Sequence, residues 1–369
     1  MGQAIDKLTL RGFKSIRELN EFPLSNLNVL IGANGAGKSN FVDFFRMLRA
    51  LADESFQQFV NDQGGGDQLL FLGPKVTREI TALLEFGWNN YGFALAPTAS
   101  GTLQVKEEVV KYTGGGDFDH LSFGAMESAL KQRRNDRSIW TEGPGVPHYV
   151  YEAVSNWTVY HFHDTSPLAP MRRDQSLRDE ERFRHDASNI APFLHQLHES
   201  EEGSYELIRD TVRLIAPFFD DFLLRPESKG GNERIRLEWR QKGSDFPFQP
   251  NQLSDGTIRF ICLATALQQS VPPATIVIDE PELGLHPYAI AILAGLVQSA
   301  AARTQVIVST QSPTLLDYFE PEDIIVVNRS EAGSTFERLD EAQLTEWLEE
   351  YSVGELWQKN VVRGGPVHE

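Results

Sequence analysis

The chain has 369 residues, a formal net charge of −18 and 41% hydrophobic residues. An anion-binding surface spread over the whole molecule is therefore disfavoured, because like charges repel, although local basic clusters remain. The longest apolar runs, 274–278 and 289–297, are far shorter than the ~20 residues that span a bilayer. The single cysteine, Cys262, excludes an internal disulfide, and the first residues show no signal-peptide pattern. We expect a cytoplasmic protein with no membrane partner.

The first two thirds of the chain predict strands mixed with helices. Four stretches alternate apolar and polar residues and predict strands: 5–13, 27–35, 103–113 and 234–241. Residues 78–98 predict a β-hairpin with its turn at Asn89–Asn90. Apolar residues at helical spacing predict one helix over 39–51 and a helical region over 176–220.

From about residue 257 onward, predicted helices and strands alternate. Helices are predicted over 257–269, 288–302 and 341–351. Continuous apolar strands are predicted over 275–280, 305–310 and 324–328. Because such runs are typical of strands buried on both faces of a parallel sheet, the sequence predicts an α/β fold.

The segment GANGAGKS, residues 32–39, fits the pattern G-x-x-x-x-G-K-[ST] between a predicted strand and a predicted helix. Its glycines let backbone N–H groups converge on phosphate oxygens at the positive end of the helix. The lysine neutralises β- and γ-phosphate charge, and the serine hydroxyl suits Mg²⁺. The predicted cofactors are ATP and Mg²⁺, and the predicted nucleotide-binding residues are Gly32, Asn34, Gly35, Gly37, Lys38, Ser39 and Asn40.

Two acids, Asp279 and Glu280, end the predicted strand 275–280. In a parallel α/β sheet, ligands bind beyond the carboxyl ends of the strands. Asp279 is therefore expected to hold Mg²⁺ together with Ser39. Glu280 is expected to be the catalytic base that accepts a proton from the attacking water.

A polar segment also follows the predicted strand 305–310. Gln311 is the second predicted catalytic residue, because from this edge its side chain could reach the γ-phosphate or the attacking water. The neighbouring Thr310 and Ser312 are alternatives for that role. Ser312 also precedes a proline and suits a helix N-cap, which is compatible with either assignment.

The phosphate loop, LSDGT (253–257), IDEPELGLHP and STQS, in that order, resemble the ABC-class ATPases of the SMC, RecF and OLD-like branch. The resemblance implies an ABC-type P-loop ATPase head with an antiparallel β subdomain, a mostly parallel core sheet and an inserted helical lobe. The expected segments are an N-terminal ATPase lobe (1–90), an inserted lobe for partner or ligand docking (91–230) and a C-terminal ATPase lobe (231–369).

In that class, two copies face head to tail, and each signature binds the γ-phosphate held by the other copy. The resemblance thus implies a homo-oligomer, at least an ATP-dependent dimer, with a signature acting in trans from Leu253, Ser254, Asp255 and Gly256. The magnesium-coordinating glutamine of the first lobe has no clear match. Its candidates are the segment 159–166 and Gln68.

Many stand-alone bacterial ATPases of this group lie in antiphage-defence gene clusters, and OLD-type relatives carry a nuclease domain. Only 56 residues follow Pro313, so we expect a separate effector, a nuclease or toxin, that this ATPase switches. A nucleic acid or a phage-derived ligand is a further expected partner. A RecF-like ATPase that binds DNA in repair is the alternative function, and the cytosolic ATPase of a transporter is a third.

Overall fold

The computed structural model describes residues 3–137, 143–229 and 232–362. The chain divides into two compact units. Unit 1 comprises Met1–Val159, Pro273–Val277 and Thr304–Glu369, and unit 2 comprises Tyr160–Pro272 and Ile278–Arg303.

The described part of the chain contains both strands and helices. The strands are β1 Lys7–Phe13, β2 Ile16–Pro23, β3 Leu27–Ile31, β4 Ile80–Phe86, β5 Asn89–Pro97, β6 Leu103–Tyr112, β7 Asp119–Ala125, β8 Trp157–Tyr160, β9 Gln175–Ser176, β10 Phe219–Leu223, β11 Glu227–Lys229, β12 Asn232–Ile235, β13 Glu238–Gln241, β14 Pro247–Phe248, β15 Thr275–Asp279, β16 Gln305–Thr310, β17 Ile324–Ser330 and β18 Gly333–Arg338. The α-helices are α1 Lys38–Asp53, α2 Phe56–Asp62, α3 Leu130–Arg133, α4 Val146–Val154, α5 Ile190–Ser200, α6 Glu202–Ile215, α7 Asp255–Gln268, α8 Pro287–Ala301, α9 Pro313–Leu316, α10 Glu341–Leu348 and α11 Val353–Gln358. Within the described ranges, no helix is long and apolar enough to cross a membrane.

One sheet of unit 1 is antiparallel, with the strand order β2-β1-β4-β5-β6-β7. Its β4–β5 hairpin corrects the predicted turn position. Phe86 pairs with Asn89, so the turn lies at Gly87–Trp88 and not at Asn89–Asn90. Gly87 supplies the positive φ, +56°, that such a tight turn needs, whereas Asn89 is a paired strand residue.

The second sheet of unit 1 has the strand order β18-β17-β3-β16-β15-β8. Strand β3 pairs parallel with β16 and with β17, and β18 pairs antiparallel with β17 at the edge. Every residue of β3, β15 and β16 is buried, as the continuous apolar runs predict. The expected antiparallel subdomain and mostly parallel core sheet are confirmed.

Helix α1 packs against strands of both sheets. Phe44 contacts Phe13 of β1 with ring centroids 5.9 Å apart, and Phe41 contacts Phe336 of β18 at 5.3 Å. Phe13, Phe41 and Phe44 are fully buried. Burying one such ring stabilises the fold by roughly 2–3 kcal/mol, so this packing fixes the helix that follows the phosphate loop.

Unit 2 contains α5 to α8 and two small three-stranded sheets, β10-β13-β14 and β11-β12-β9. Its first part differs from the predicted helical region 176–220, because the loop before α5 is held by the buried Asn189. That side chain donates to the carbonyls of Asp179 and Arg182 and accepts from the Arg184 amide. Side-chain bonds to backbone groups compete with helix formation, so helix starts only at Ile190.

The compact units follow boundaries other than those of the three expected segments. The boundary expected at residue 90 falls within β5, and the expected inserted segment 91–230 is divided between the units near residue 160. The predicted strand 234–241 is likewise two strands, β12 and β13, which belong to different small sheets.

The antiparallel sheet contains a fully buried carboxylate, that of Glu108 in β6. Tyr91 Oη and Ser128 Oγ each donate to Oε1 at 2.6 Å. The Ala129 amide and Ser122 Oγ donate to Oε2 at 2.8 Å and 3.1 Å. Burial and the nearby carboxylate raise the pKa of the Tyr91 hydroxyl, which keeps it a neutral donor. Glu108 therefore ties the segment before α3 to the sheet.

We expect Glu108→Ala to lower the free energy of unfolding by about 3 kcal/mol, because it leaves several buried donors without an acceptor. Urea denaturation followed by circular dichroism measures this. The matched control is Glu107→Ala on the same strand, whose side chain is 44% exposed and pairs only with His120 among the described ion pairs. It should cost less than about 0.5 kcal/mol. Equal decreases in the free energy of unfolding for the two variants would show that the buried Glu108 carboxylate contributes no more to stability than the exposed Glu107.

Candidate functional site

The phosphate loop in unit 1 begins after β3 and ends at Gly37, the residue that precedes α1. Lys38 is 4% exposed, and its Nζ donates to the carbonyl of Gly32 at 2.6 Å and to that of Ala33 at 3.3 Å. Ser39, the next residue, is exposed at the first turn of the helix. The loop thus encloses the ammonium group and presents the serine hydroxyl at the N-terminus of α1.

Two glycines of this loop lie where the backbone meets a neighbouring segment. A Cβ on Gly32 would collide with the carbonyl oxygen of Val327 in β17. A Cβ on Gly37, whose φ is +118°, would lie 2.7 Å from Ser15 Oγ and closer still to Ser334 Oγ. Only glycine fits either position. The remaining predicted residues Asn34 and Gly35 are exposed at the loop tip.

A chain of hydrogen bonds through two serine hydroxyl groups connects the start of α1 to the phosphate loop. Asn40 Nδ2 donates to Ser15 Oγ at 2.7 Å. Ser334 Oγ lies 2.7 Å from Ser15 Oγ and 2.6 Å from the Ala36 carbonyl. Since a carbonyl only accepts, the Ser334 proton goes to Ala36, and the Ser15 hydroxyl donates to Ser334. No sequence pattern indicated Ser15 or Ser334, because neither belongs to the motif and they are 319 residues apart.

The acidic pair lies at the end of β15 in unit 2. Asp279 is 9% exposed, and within the described residues its Oδ1 is buried without a hydrogen-bond partner. Glu280 follows with φ +46°, a left-handed conformation that costs a non-glycine residue about 1 kcal/mol. The loop then turns, with the Leu283 amide donating to the Glu280 carbonyl at 3.3 Å. A strained residue after a buried strand is typical of functional sites.

One of the two segments considered for the missing glutamine contacts the acidic pair. His163 Nε2 lies 2.9 Å from the Asp279 carbonyl oxygen, and because that oxygen only accepts, Nε2 carries a proton. Gln68, the other candidate, lies in the one-turn helix Gly66–Leu69 with an exposed side chain. The segment 159–166 therefore remains the candidate supported by a contact.

The signature segment forms the start of α7 in unit 2. Ser254 Oγ accepts from the Thr257 amide at 3.1 Å and thereby caps the helix, as the sequence allows. Leu253 is buried, whereas Ser254 and Asp255 are exposed. A Cβ on Gly256 would lie 2.5 Å from the Gly284 carbonyl oxygen. The signature glycine therefore packs directly on the loop that follows Glu280.

A buried arginine from an unexpected position holds the signature segment. Arg172 ends the short helix Pro170–Arg172, and only 8% of it is exposed. Its guanidinium donates to Asp255 Oδ1 at 2.9 Å and to the carbonyls of Leu253 at 3.2 Å and Pro250. No sequence pattern indicated this contact, because the partners are about 80 residues away and most are backbone atoms.

A second buried arginine, Arg259, lies one turn into α7. It donates to the carbonyls of Phe162 at 3.0 Å, His163 at 3.2 Å and Leu283. Burial lowers the pKa of this guanidinium, while the Asp255 carboxylate acts in the opposite direction. In the apolar helical pattern Arg259 has no visible partner, so the sequence alone did not indicate its role.

The segment after β16 contains the predicted switch residue. Gln311 follows the strand directly and is half-buried. Ser312 Oγ accepts from the Leu315 amide at 3.2 Å and caps α9, as expected. Thr310 is buried, and its Oγ1 accepts from the Ser312 amide at 3.0 Å. Of these three residues, Thr310 is buried, whereas Gln311 and Ser312 are half-buried.

Comparison with known proteins assigns the family. Residues 27–317 match the family described as AAA domain, putative AbiEii toxin, Type IV TA system. The chain belongs to this family. No curated protein matches the sequence significantly. The family membership makes the chain a P-loop ATPase with an AAA domain, so the expected enzyme class is confirmed.

Solved structures support the same fold. An SMC head bound to the C-terminal winged-helix domain of ScpA has a TM-score of 0.56 at 15% identity, covering 93% of this chain and 99% of that one. An SMC head with an extended coiled coil, bound to the C-terminal domain of ScpA from Pyrococcus furiosus, has a TM-score of 0.55 at 16% identity, covering 94% and 98%. At such identities the likeness shows an SMC-head fold.

The residues present also fit a divalent cation. A carboxylate oxygen that is buried without a hydrogen-bond partner is costly unless something else satisfies it, and Asp279 Oδ1 is such an atom within the described chain. Magnesium prefers oxygen ligands and is commonly bound through one carboxylate together with substrate phosphates. Asp279 and the exposed Ser39 hydroxyl are both of the required type.

We expect Ser334→Ala to weaken ATP binding about fivefold, because the Ala36 carbonyl loses a buried donor worth about 1 kcal/mol. Titration with a fluorescent ATP analogue measures the affinity. The matched control is Ser330→Ala on the same hairpin, whose hydroxyl makes its described hydrogen bonds to the β17–β18 turn at Gly333 and Ala332. An unchanged affinity in Ser334→Ala would mean that the hydroxyl chain does not shape the loop.

Proposed function

We propose that this ATPase dimerises head to tail around two ATP molecules and, in the ATP-bound state, switches an effector protein in antiphage defence. The observation that carries the proposal is the exposed, capped start of α7 at Ser254 and Asp255. A helix N-terminus with free surface attracts anions through its dipole and backbone amides. Its own cap is satisfied within the chain, so the outward face is available to a phosphate held elsewhere.

In this proposal, the phosphate loop binds the triphosphate. Backbone amides of Asn34, Gly35 and Gly37 face the phosphate oxygens, and the Lys38 ammonium exchanges its carbonyl contacts for β- and γ-phosphate oxygens. Asn40 holds the start of α1 in place through Ser15. Support comes from the family assignment and from the glycine-only packing of the loop.

Hydrolysis proceeds by in-line attack of water on the γ-phosphorus. Glu280 accepts a proton from that water as the new P–O bond forms and the bond to the β-γ bridging oxygen breaks, which gives ADP and phosphate. Gln311 orients the water. Asp279 and Ser39 would hold Mg²⁺, which would supply positive charge to neutralise the β- and γ-phosphates.

The second copy completes each site. Ser254 contributes a hydroxyl, and Gly256 allows close backbone approach to the γ-phosphate of the partner's ATP. Leu253, which is buried, anchors the segment, and Asp255 is fixed by Arg172 so that its charge is partly neutralised. A site shared in this way makes hydrolysis depend on assembly.

The effector assignment is supported by the family description, which names a toxin and a type IV toxin–antitoxin system. We propose a nuclease or toxin as the switched partner, with a phage-derived ligand or nucleic acid as the signal. DNA repair in the manner of RecF is the competing function. The net charge of −18 weighs against it, because DNA binding relies on cationic surface.

We expect Glu280→Gln to bind ATP with near-normal affinity, to lose at least about 100-fold in hydrolysis rate, and to accumulate as a dimer. The amide keeps the shape of the site but accepts no proton. Sedimentation with and without saturating ATP, together with a phosphate-release assay, measures both effects. A purified variant that stays monomeric at saturating ATP would contradict the shared-site mechanism.

The trapped Glu280→Gln dimer also serves as bait in extract of the native host. A nuclease or toxin retained only with ATP supports effector switching, whereas clamp or DNA-end proteins would favour the repair function. A retained permease would favour a transporter. Wild-type protein with ADP is the control, since it should hold none of them.

We expect Ser254→Arg to abolish ATP hydrolysis and to leave ATP binding within about twofold, because the phosphate loop is untouched while a bulky side chain blocks the partner's phosphate. The comparison variant is Ser228→Arg, an exposed serine of the same unit. Nucleotide titration and phosphate release measure the two properties. If Ser254→Arg hydrolysed ATP at the wild-type rate, LSDGT would serve only to cap its helix and would not bind the partner's phosphate.

A further inference from the structure

The start of α7 and the loop after Glu280 are in direct contact within unit 2. Gly256 approaches the Gly284 carbonyl so closely that a Cβ would lie 2.5 Å from the oxygen. Gly284 has φ +74°, and its own Cβ would lie 3.0 Å from Arg259 Nη1. The signature segment and the acidic loop are therefore packed without room for a methyl group between them.

Arg259 joins α7 to two other segments. Nη1 donates to the Leu283 carbonyl in the acidic loop. Nε donates to the Phe162 carbonyl at 3.0 Å and Nη2 to the His163 carbonyl at 3.2 Å. The planar guanidinium fixes several donors in one rigid fork, so these carbonyls cannot shift independently of the helix. The residue is 9% exposed, and burial stiffens the arrangement further.

The two segments that Arg259 contacts enclose the acidic pair. His163 donates from Nε2 to the Asp279 carbonyl at 2.9 Å, on one side. On the other side, the Leu283 amide donates to the Glu280 carbonyl at 3.3 Å. Arg259 bonds the carbonyls of these same two residues, His163 and Leu283. The position of Asp279 and Glu280 is thus set by bonds that converge on one side chain of the signature helix.

Glu280 needs such support because its backbone is strained. Its φ of +46° is unfavourable for a residue with a side chain, and this conformation persists only where the surroundings hold it. If the Leu283 carbonyl lost its donor, the turn from Glu280 to Leu285 would relax. The carboxylate would then move away from the place where it accepts a proton.

We propose that Arg259 is a positioning residue that couples the LSDGT motif to Glu280 of the same chain. The inference rests on the proposed function, in which LSDGT binds the partner's ATP. Docking of that motif fixes the start of α7, and Arg259 transmits the fixed position to the acidic loop. Each subunit then becomes competent to hydrolyse its own ATP when its LSDGT motif binds the ATP held by the partner subunit. In a symmetric head-to-tail dimer both subunits make this contact, so assembly prepares both sites for hydrolysis.

Arg172 also holds the LSDGT motif, but it does so without contacting the loop after Glu280 among its described hydrogen bonds. Dimer formation and the coupling to Glu280 therefore depend on different arginines. The bonds of Arg172 go to Asp255 and to the carbonyls of Pro250, Leu253 and Thr165, all at or before the start of α7. It keeps the signature segment in shape when Arg259 is replaced. Loss of Arg259 should therefore uncouple hydrolysis without preventing dimer formation.

The test is Arg259→Lys, which keeps the charge but not the three-way fork. The readout is the hydrolysis rate per site, measured from below to above the protein concentration at which the ATP-bound dimer forms. For wild type we expect a rise of about 10- to 100-fold on dimerisation. Arg259→Lys alone should bind ATP within twofold of wild type but show no such rise in hydrolysis rate. When Arg259→Lys is combined with Glu280→Gln, the ATP-bound dimer should form at the same protein concentration as for Glu280→Gln alone.

Arg303→Lys is the matched control. Arg303 also bonds two backbone carbonyls of the α7 region, those of Leu267 and Gln269, but at the opposite end of the helix. Arg303→Lys should keep the full increase in hydrolysis rate on dimerisation even if its melting temperature falls. A merely structural role for Arg259 would make the two variants behave alike, which would overturn the proposal.

Gly284→Ala perturbs the same contact independently, because its Cβ would press on Arg259 Nη1. It should reproduce the loss of the rise, which keeps the proposal testable if Arg259→Lys folds poorly. A normal rise in either folded variant would overturn the coupling. If wild-type protein stayed monomeric at saturating ATP, the proposed dimer itself would be wrong. Sedimentation distinguishes that result from a loss of coupling within an intact dimer.

Discussion

Close approach of one backbone to another, possible only without a side chain, underlies both the phosphate loop of unit 1 and the signature segment of unit 2. Gly32 and Gly37 let the phosphate loop rest on Val327 and on the Ser15–Ser334 pair, and Gly256 lets the signature rest on Gly284. At each contact a methyl group would collide with an oxygen, so the backbones are held by neighbours and not by their own flexibility. The chemistry expected of the ATPase requires this rigidity, because phosphate oxygens are recognised by amides whose positions are set in advance.

The sequence predicted those parts of the fold whose signal is local. The phosphate loop, the buried strands of the core sheet and the cap at Ser312 each follow from a short run of residues. The hairpin turn was misplaced by two residues because asparagine pairs commonly form turns, whereas here Asn89 pairs in the sheet. Supporting residues such as Ser15 and Arg172 were missed, since an ordinary serine or arginine gains its role only from partners distant in sequence.

Buried charges in unit 2 are arranged around backbone carbonyls more than around acids. Arg259 has three carbonyl partners among its described hydrogen bonds, and Arg172 has three together with Asp255. Burying a guanidinium costs several kcal/mol unless its donors are satisfied, so each partner contributes both stability and geometry. Because the other partners of Arg172 are neutral carbonyls, its positive charge is opposed by a single acid, Asp255, among its described hydrogen bonds.

The hydroxyl chain beneath the phosphate loop has a consequence for biosynthesis. The loop motif is complete once residue 40 has been made, but its support from Ser334 is encoded 298 residues beyond the Ala36 carbonyl that it holds. A nascent chain therefore carries the full motif for most of its synthesis without the brace that shapes it. The loop therefore reaches its braced form only after the β17–β18 hairpin has formed, and a nucleotide that binds the braced loop would stabilise that hairpin as well.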